Sequence, residues 1–163
     1  MPIYMHIEGI EGDVTAKGHE KWIELNSLNF GVSRDIKTRN GKASDREKTL
    51  PNVGEIIVGM NMSKSSPNIF NEACIGKAKK TIEIDVCQTT TGEPKTYLRY
   101  TLSEVLLSNY QVHIDHDAER VEPLEKINLN FNKIVMKYTQ FSDGNTPLAP
   151  TAAGYDLTTG TKV

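Results

Sequence analysis

The segment IEGIEGDVTAKGHEKWIEL, residues 7–25, places a histidine, several carboxylates and a tryptophan close together in the sequence. HEKWI, which begins at His19, matches the first half of the HExxH pattern, in which a helix places two histidines on one zinc ion. Ile23 stands where the second histidine would be, and the alternating polarity after Trp22 is typical of a strand. The segment is therefore predicted to be structural, with His19 closing a loop and Trp22 opening a core strand.

A second cluster, HIDHDAE at residues 113–119, is the better metal candidate. Four side chains within five positions could bind a metal ion: His113, Asp115, His116 and Asp117. The cluster lies between two strand patterns and continues with Arg120, Glu122 and Glu125, which favours a hydrophilic hairpin loop. A metal-dependent hydrolase stays open as the alternative from another functional class, and loss of activity in His116→Ala would support it.

The other patterns give no sign of enzyme chemistry. Cys74 and Cys87 lack the spacing of a disulfide framework or a zinc site, and both are interpreted as small buried apolar side chains. The sequence has neither a Gly-rich phosphate loop nor a nucleophile elbow. We therefore expect a protein without catalytic residues, metal or cofactor.

Composition points to a globular domain, since 37% of the 163 residues are hydrophobic and 25% are charged. The formal net charge of -2 predicts no general attraction to nucleic acid, and no apolar run is long enough for membrane insertion. The N-terminus MPIYMHIEGIEG lacks the basic and apolar segments of a secretory signal, so we expect any export to use another machine.

Alternating polarity dominates the chain and favours an antiparallel β barrel or sandwich. TIEIDVCQ, for example, puts Ile82, Ile84 and Val86 opposite Thr81, Glu83, Asp85 and Cys87. One segment breaks the pattern: in SSPNIFNEACIGKA a serine precedes Pro67, and apolar residues follow at three- and four-residue spacing before Gly76. This segment predicts one short helix, whose apolar side comprises Ile69, Phe70, Ala73 and Cys74.

Two regions lack a regular pattern. Residues 34–48, RDIKTRNGKASDREK, carry six basic and three acidic residues and are predicted to be a long solvated loop. We assign residues 1–141 to the β domain and residues 142–163 to a C-terminal tail, in which GYDLTTGTKV offers a last short strand.

Several of these segments together resemble the Hcp family, the tube-forming component of the bacterial type VI secretion system. The resemblance rests on the order and spacing of IEGIEGDVTAKGHEKWIEL, FGVSR, SSPNIFNEACIGKA, YLRYTLSEVLLSN, EKINLNFNKIVMKY and GYDL. It implies a small antiparallel β-barrel of two sheets with one short flanking α-helix and an extended loop.

The resemblance also implies a non-enzymatic function. Family members form homohexameric rings that stack into a tube, and a contractile sheath drives this tube outward behind a VgrG-type spike. The rings receive secreted effectors in their lumen, and the protein moves from the cytoplasm to the outside without a cleaved signal peptide. A phage-like tail-tube protein is the structural alternative, and a neighbourhood of contractile-system genes would separate the two.

Three groups of site residues follow as expectations. The extended loop departs from the Gly-rich version of many family members, and its charges predict salt-sensitive ring stacking. Its candidate interface residues are Arg39, Lys42, Asp45, Arg46, Glu47 and Lys48. The helix offers Asn68, Asn71 and Glu72 to a neighbouring subunit. In LNSLNFG we expect Leu28 and Phe30 inside, and Ser27 and Asn29 on the face that lines the lumen.

Overall fold

The structure, a computed structural model, describes residues 1–36, 49–90, 92–116 and 122–163. Within these ranges the chain is mainly β, with one helix, as the sequence predicts. The strands are β1 Ile3–Ile7, β2 Ile23–Leu25, β3 Ser27–Asn29, β4 Val32–Ser33, β5 Asn52–Val53, β6 Ile56–Asn61, β7 Lys79–Thr90, β8 Glu93–His113, β9 Leu124–Asn130, β10 Lys133–Tyr138, β11 Thr151–Asp156 and β12 Thr161–Lys162. The helix α1 spans Ser66–Ile75.

The strands form two main antiparallel sheets that share β8. Sheet A has the order β12-β11-β10-β8-β7-β1-β2, and sheet B the order β3-β6-β9-β8. The first part of β8 pairs with β7 and β10, whereas the part from Leu106 onward pairs with β9. A separate two-stranded hairpin, β4-β5, brackets residues 34–51. The predicted two-sheet fold is confirmed, although the sheets of the described residues do not close into a complete barrel.

The core lies between the two sheets and follows the predicted alternation. In β7, Ile82, Ile84 and Val86 are buried, and the β1 residues opposite Ile82 and Ile84 are Ile7 and Met5, both fully buried. Sheet B contributes residues such as Val58 and Ile127, which are also fully buried. Burial of these aliphatic side chains supplies the main driving force for joining the two sheets.

Two of the predicted strands are each divided in the structure. KWIELNSLNFGV is interrupted at Asn26, where the chain passes from sheet A to sheet B. EKINLNFNKIVMKYTQF forms β9 in sheet B and β10 in sheet A, with residues 131–132 between them. At both breaks, a single run of alternating polar and apolar residues is divided between the two sheets. In the tail, β11 and β12 extend sheet A beyond β10.

The helix begins and ends where the sequence predicts. Pro67 lies in its first turn, and Gly76 ends it in the left-handed conformation with φ 66°. Ile69 is fully buried and Ala73 packs against the core, but Phe70 and Cys74 are exposed. The prediction of a buried Cys74 is therefore wrong, whereas Cys87 is buried as predicted. The helix covers the core along a narrow stripe, and these two residues lie outside it. The helix is also too short to span a membrane.

Candidate functional site

His19, the candidate of the HExxH half-motif, lies in a buried polar cluster around Asp85, whose side chain is 0% exposed. The Asp85 carboxylate accepts hydrogen bonds from His19 Nε2 at 2.8 Å and from Thr96 Oγ1 at 2.9 Å. It also accepts two from Arg99, whose Nε and Nη2 each lie at 2.6 Å. His19 additionally packs against the rings of Tyr4 and Trp22, with both centroid distances at 4.8 Å. The cluster thus fixes the loop between β1 and β2 onto β7 and β8.

The electrostatics of this cluster favour a structural role. Burial alone would raise the pKa of Asp85, but the hydrogen bonds from Arg99 and His19 outweigh it and hold that pKa below its usual value. Cys87 Sγ lies 3.8 Å from His19 Nε2, a spacing that invites comparison with a Cys-His nucleophile. Burial raises the pKa of the Cys87 thiol, however, so this thiol is not activated.

A second buried carboxylate, Glu125, anchors the helix. It accepts a hydrogen bond from Ser66 Oγ at 2.7 Å, at the first turn of α1, and another from the hydroxyl of Tyr110 on β8. Burial, together with the bond to Glu125, raises the pKa of Tyr110 to about 12. The sequence placed Glu125 in a hydrophilic hairpin loop, whereas the structure puts it in β9, facing the core side of sheet B beneath the helix.

The metal candidates of the HIDHDAE segment lie at the end of β8. His113, Asp115 and His116 are exposed, and Asp117 falls outside the described residues. Across residues 1–36, 49–90, 92–116 and 122–163, no group of three or more His, Cys, Asp and Glu side chains is arranged to hold a metal ion.

The outer face of sheet B is mostly polar and contains Ser27 and Asn29. Leu28 and Phe30 pack partly buried against the core, while Ser27 and Asn29 are exposed. Ser27 stands opposite Gly59, where an added Cβ would lie 2.6 Å from Ser27 Oγ, so the glycine permits close pairing of β3 with β6. The register continues the face from Asn29 across Ile57 and Asn128 to Asn109, and from Gly59 across Lys126 to Gln111. A cavity of about 550 Å³ opens on this face.

The candidate interface residues are only partly described. Asn68 and Asn71 are exposed on α1, and Glu72 is half-buried. The six loop residues, Arg39, Lys42, Asp45, Arg46, Glu47 and Lys48, lie outside the described residues. Of these interface candidates, the structure therefore places only those on the helix.

Sequence reasoning missed the partners of His19. Asp85 was assigned to the solvent face of its strand because it alternates with Ile84 and Val86, yet the loop before β2 covers it. Arg99 stands directly opposite Asp85 in the β7-β8 register. In the sequence, Asp85 and Arg99 both lie within strand patterns. That placement does not indicate that a loop covers them.

The comparisons with known proteins agree with this fold. The family profile described as "Type VI secretion system effector, Hcp" matches residues 4–138. No curated protein matches the chain. A solved structure of a type six secretion system protein is similar with a TM-score of 0.89 at 21% identity, covering 99% of both chains.

Two further solved structures share the fold. Hcp1 from Salmonella typhimurium has a TM-score of 0.79 and 20% identity, with 99% of this chain and 98% of that one covered. A type VI secretion system effector from Yersinia pestis has a TM-score of 0.72 and 19% identity, with coverage of 94% and 98%. The chain belongs to the Hcp family of type VI secretion system effectors.

Proposed function

We propose that this protein forms homohexameric rings that stack into the inner tube of a type VI secretion apparatus. The observation that carries the proposal is the family match over residues 4–138. In this function a VgrG-type spike protein and contractile sheath proteins are its partners, and the protein leaves the cytoplasm with the tube. In this role the protein is a structural component, and its function depends on the contacts that its surfaces make.

The outer face of sheet B is the surface that we assign to the lumen, where effectors would be carried. Its exposed side chains are mostly amides and hydroxyls, with Lys126 as a charged member. Such groups form hydrogen bonds with many partners and stay solvated when no client is present. Ser27 and Asn29 lie at the open edge strand of this face, where a client would meet them.

The mass of the purified protein in solution tests the ring. Six copies of the 18.2 kDa chain give about 109 kDa, which light scattering coupled to size-exclusion chromatography distinguishes from smaller assemblies. We expect this mass and ring-shaped particles in electron micrographs. A monomer under all conditions would contradict the proposal.

The lumen assignment is tested by adding charge to the sheet B face. Asn29→Asp changes the shape of the side chain little but places a carboxylate on that face. We expect the variant to form rings of normal mass. Less secreted effector should co-purify with these rings from the producing cells. Asn132→Asp, on the exposed connection between β9 and β10, is the matched control and should change neither property. Unchanged assembly and unchanged effector recovery with Asn29→Asp would refute the assignment.

A further inference from the structure

An apolar groove lies between the β4-β5 hairpin and the β10-β11 part of sheet A. It is an open groove of about 360 Å³, lined largely by apolar side chains, among them Phe30, Val32, Val53, Ile134, Met136 and Tyr155. Val32 is 57% exposed and Met136 is 43% exposed. Exposed apolar side chains gathered in one concavity are a common mark of a protein contact.

Residues 37–48, which lie between β4 and β5 in the sequence, are poor in apolar side chains. The β4-β5 hairpin leads into residues 37–48, KTRNGKASDREK, where Ala43 is the one apolar side chain. A methyl group fills little of such a cavity, and burying the lysines and arginines of this segment would be costly. Residues 37–48 therefore supply no large apolar side chain that matches the apolar lining of the groove.

The helix offers an apolar ridge of matching character. Pro67, Phe70 and Cys74 follow one another at three- and four-residue spacing, which aligns them along one side of α1. All three are exposed, and Phe70 remains 55% exposed although its ring contacts the Tyr110 ring at a centroid distance of 5.8 Å. The ridge is thus a convex apolar surface with a large aromatic side chain at its middle.

The groove lies beside the middle of β8, and the ridge lies beside its C-terminal part. Leu102 pairs with Ile134 in the groove, and Tyr110 lies beneath the ridge. These two β8 residues are eight positions apart, which corresponds to at most about 26 Å at about 3.3 Å per residue. Between them the strand leaves sheet A for sheet B, and Glu104 has a positive φ of 52°. The lining of the groove includes no residue of α1, so the ridge and the groove are separate surfaces of one copy.

A closed ring is built from head-to-tail contacts between two different surfaces of each subunit. Resting on the ring proposed above, we propose that the Pro67-Phe70-Cys74 ridge of one copy occupies the Phe30-Val32-Met136 groove of the next. Aromatic side chains that fill pockets contribute strongly to protein contacts. Phe70 is the anchor of this contact, and repetition around the ring uses every groove and every ridge.

Two variants, each lacking one half of the contact, test the pairing. Phe70→Glu disables the ridge and Met136→Glu disables the groove. Phe70 is 55% exposed and Met136 is 43% exposed, so we expect both variants to fold. Leu148→Glu is the control, at a residue that is 46% exposed and outside both surfaces. We expect the control to form rings and each of the two variants alone to be monomeric by analytical ultracentrifugation. An equal mixture of the two variants should give a dimer of about 36 kDa, twice the 18.2 kDa chain, because one intact ridge and one intact groove remain.

Wild-type-like rings from either variant, or a mixture that stays monomeric, would overturn the pairing. Because the wild-type ring is measured separately, such a result leaves the proposed function standing, whereas a monomeric wild type would contradict both the pairing and the proposed function.

Cross-linking gives a second measurement that does not depend on disrupting the contact. Met136→Cys should form a disulfide with the native Cys74 of the next copy when copper phenanthroline is added, producing a ladder on a non-reducing gel. Leu148→Cys should give none, and a ladder absent from Met136→Cys rings would also count against the pairing.

Discussion

At the scale of single residues, Asp85 is a buried carboxylate at the centre of a polar cluster. It is fully buried, and Arg99 and His19 reach it from two different segments. Removing a buried charge destabilises the fold, because its former partners stay desolvated and lose the interaction that offset this cost. The cluster therefore stabilises the fold.

Asp85→Asn should lower the free energy of unfolding by about 3 kcal/mol, the lower end of the range for breaking a buried ion pair. Urea unfolding followed by circular dichroism measures this. Glu83→Gln is the matched control, because Glu83 contacts the same Arg99 at 3.7 Å but is about a third exposed. That variant should lose less than about 1 kcal/mol. Equal losses in the two variants would show that burial of the Asp85 pair does not matter.

The pH dependence of stability follows from the same residue. The folded pKa of Asp85 lies below its usual value, because hydrogen bonds from Arg99 and His19 outweigh the effect of burial. Its carboxylate therefore stabilises the fold above about pH 4, near the pKa of an unfolded aspartate, and this contribution is lost as the pH falls through the folded pKa. We expect the urea midpoint of the wild type to fall more steeply below pH 4 than that of Asp85→Asn. Parallel curves for the two proteins would contradict this expectation.

At the scale of elements, α1 shows how closely local signals set the limits of a helix. Pro67 and Gly76 predict the ends, and both lie where the prediction places them. The buried face of the helix was harder to predict, because the apolar residues of the segment include both Phe70 and Ile69. Only contact with β8 selects which of these residues is buried.

Gly76→Ala should destabilise the protein by about 1 kcal/mol, because an alanine Cβ is strained at φ 66°. Gly31→Ala is the control: no atom lies within 4 Å of its added Cβ, and its φ is outside the left-handed region. We expect no loss for that variant in thermal unfolding. A stable Gly76→Ala protein would mean that the helix end rearranges at no cost.

At the scale of the whole molecule, charge is unevenly distributed along the chain. Residues 34–48 carry six basic and three acidic side chains, whereas residues 8–24 carry five acidic and two basic ones. The strands from Ile23 to Ser33 run from the acidic segment to the start of the basic one, so the two segments flank the same stretch of strands. Such a separation of charge suits contacts between the stacked rings that we propose.

Ring stacking should therefore weaken with salt. Exposed charges are screened over about 8 to 10 Å at moderate ionic strength and over about 3 Å at 1 M. We expect stacked tubes in electron micrographs at low salt, and single rings of unchanged mass at high salt. Arg39→Gln combined with Arg46→Gln should reduce stacking already at low salt. Tubes that persist unchanged at 1 M salt would show that the charged loop does not hold the rings together.

The sequence by itself determined the β character of the chain, the position and ends of the helix, and the family. These properties depend on local periodicity, on capping residues and on the order of recognisable segments, and the linear sequence contains all three. Only the tertiary structure decided that Asp85 and Glu125 are buried, that Phe70 and Cys74 are exposed, and that an apolar groove forms beside β10. The physical reason is that alternation assigns a side chain to a face, whereas burial depends on which distant loop, helix or strand covers that face.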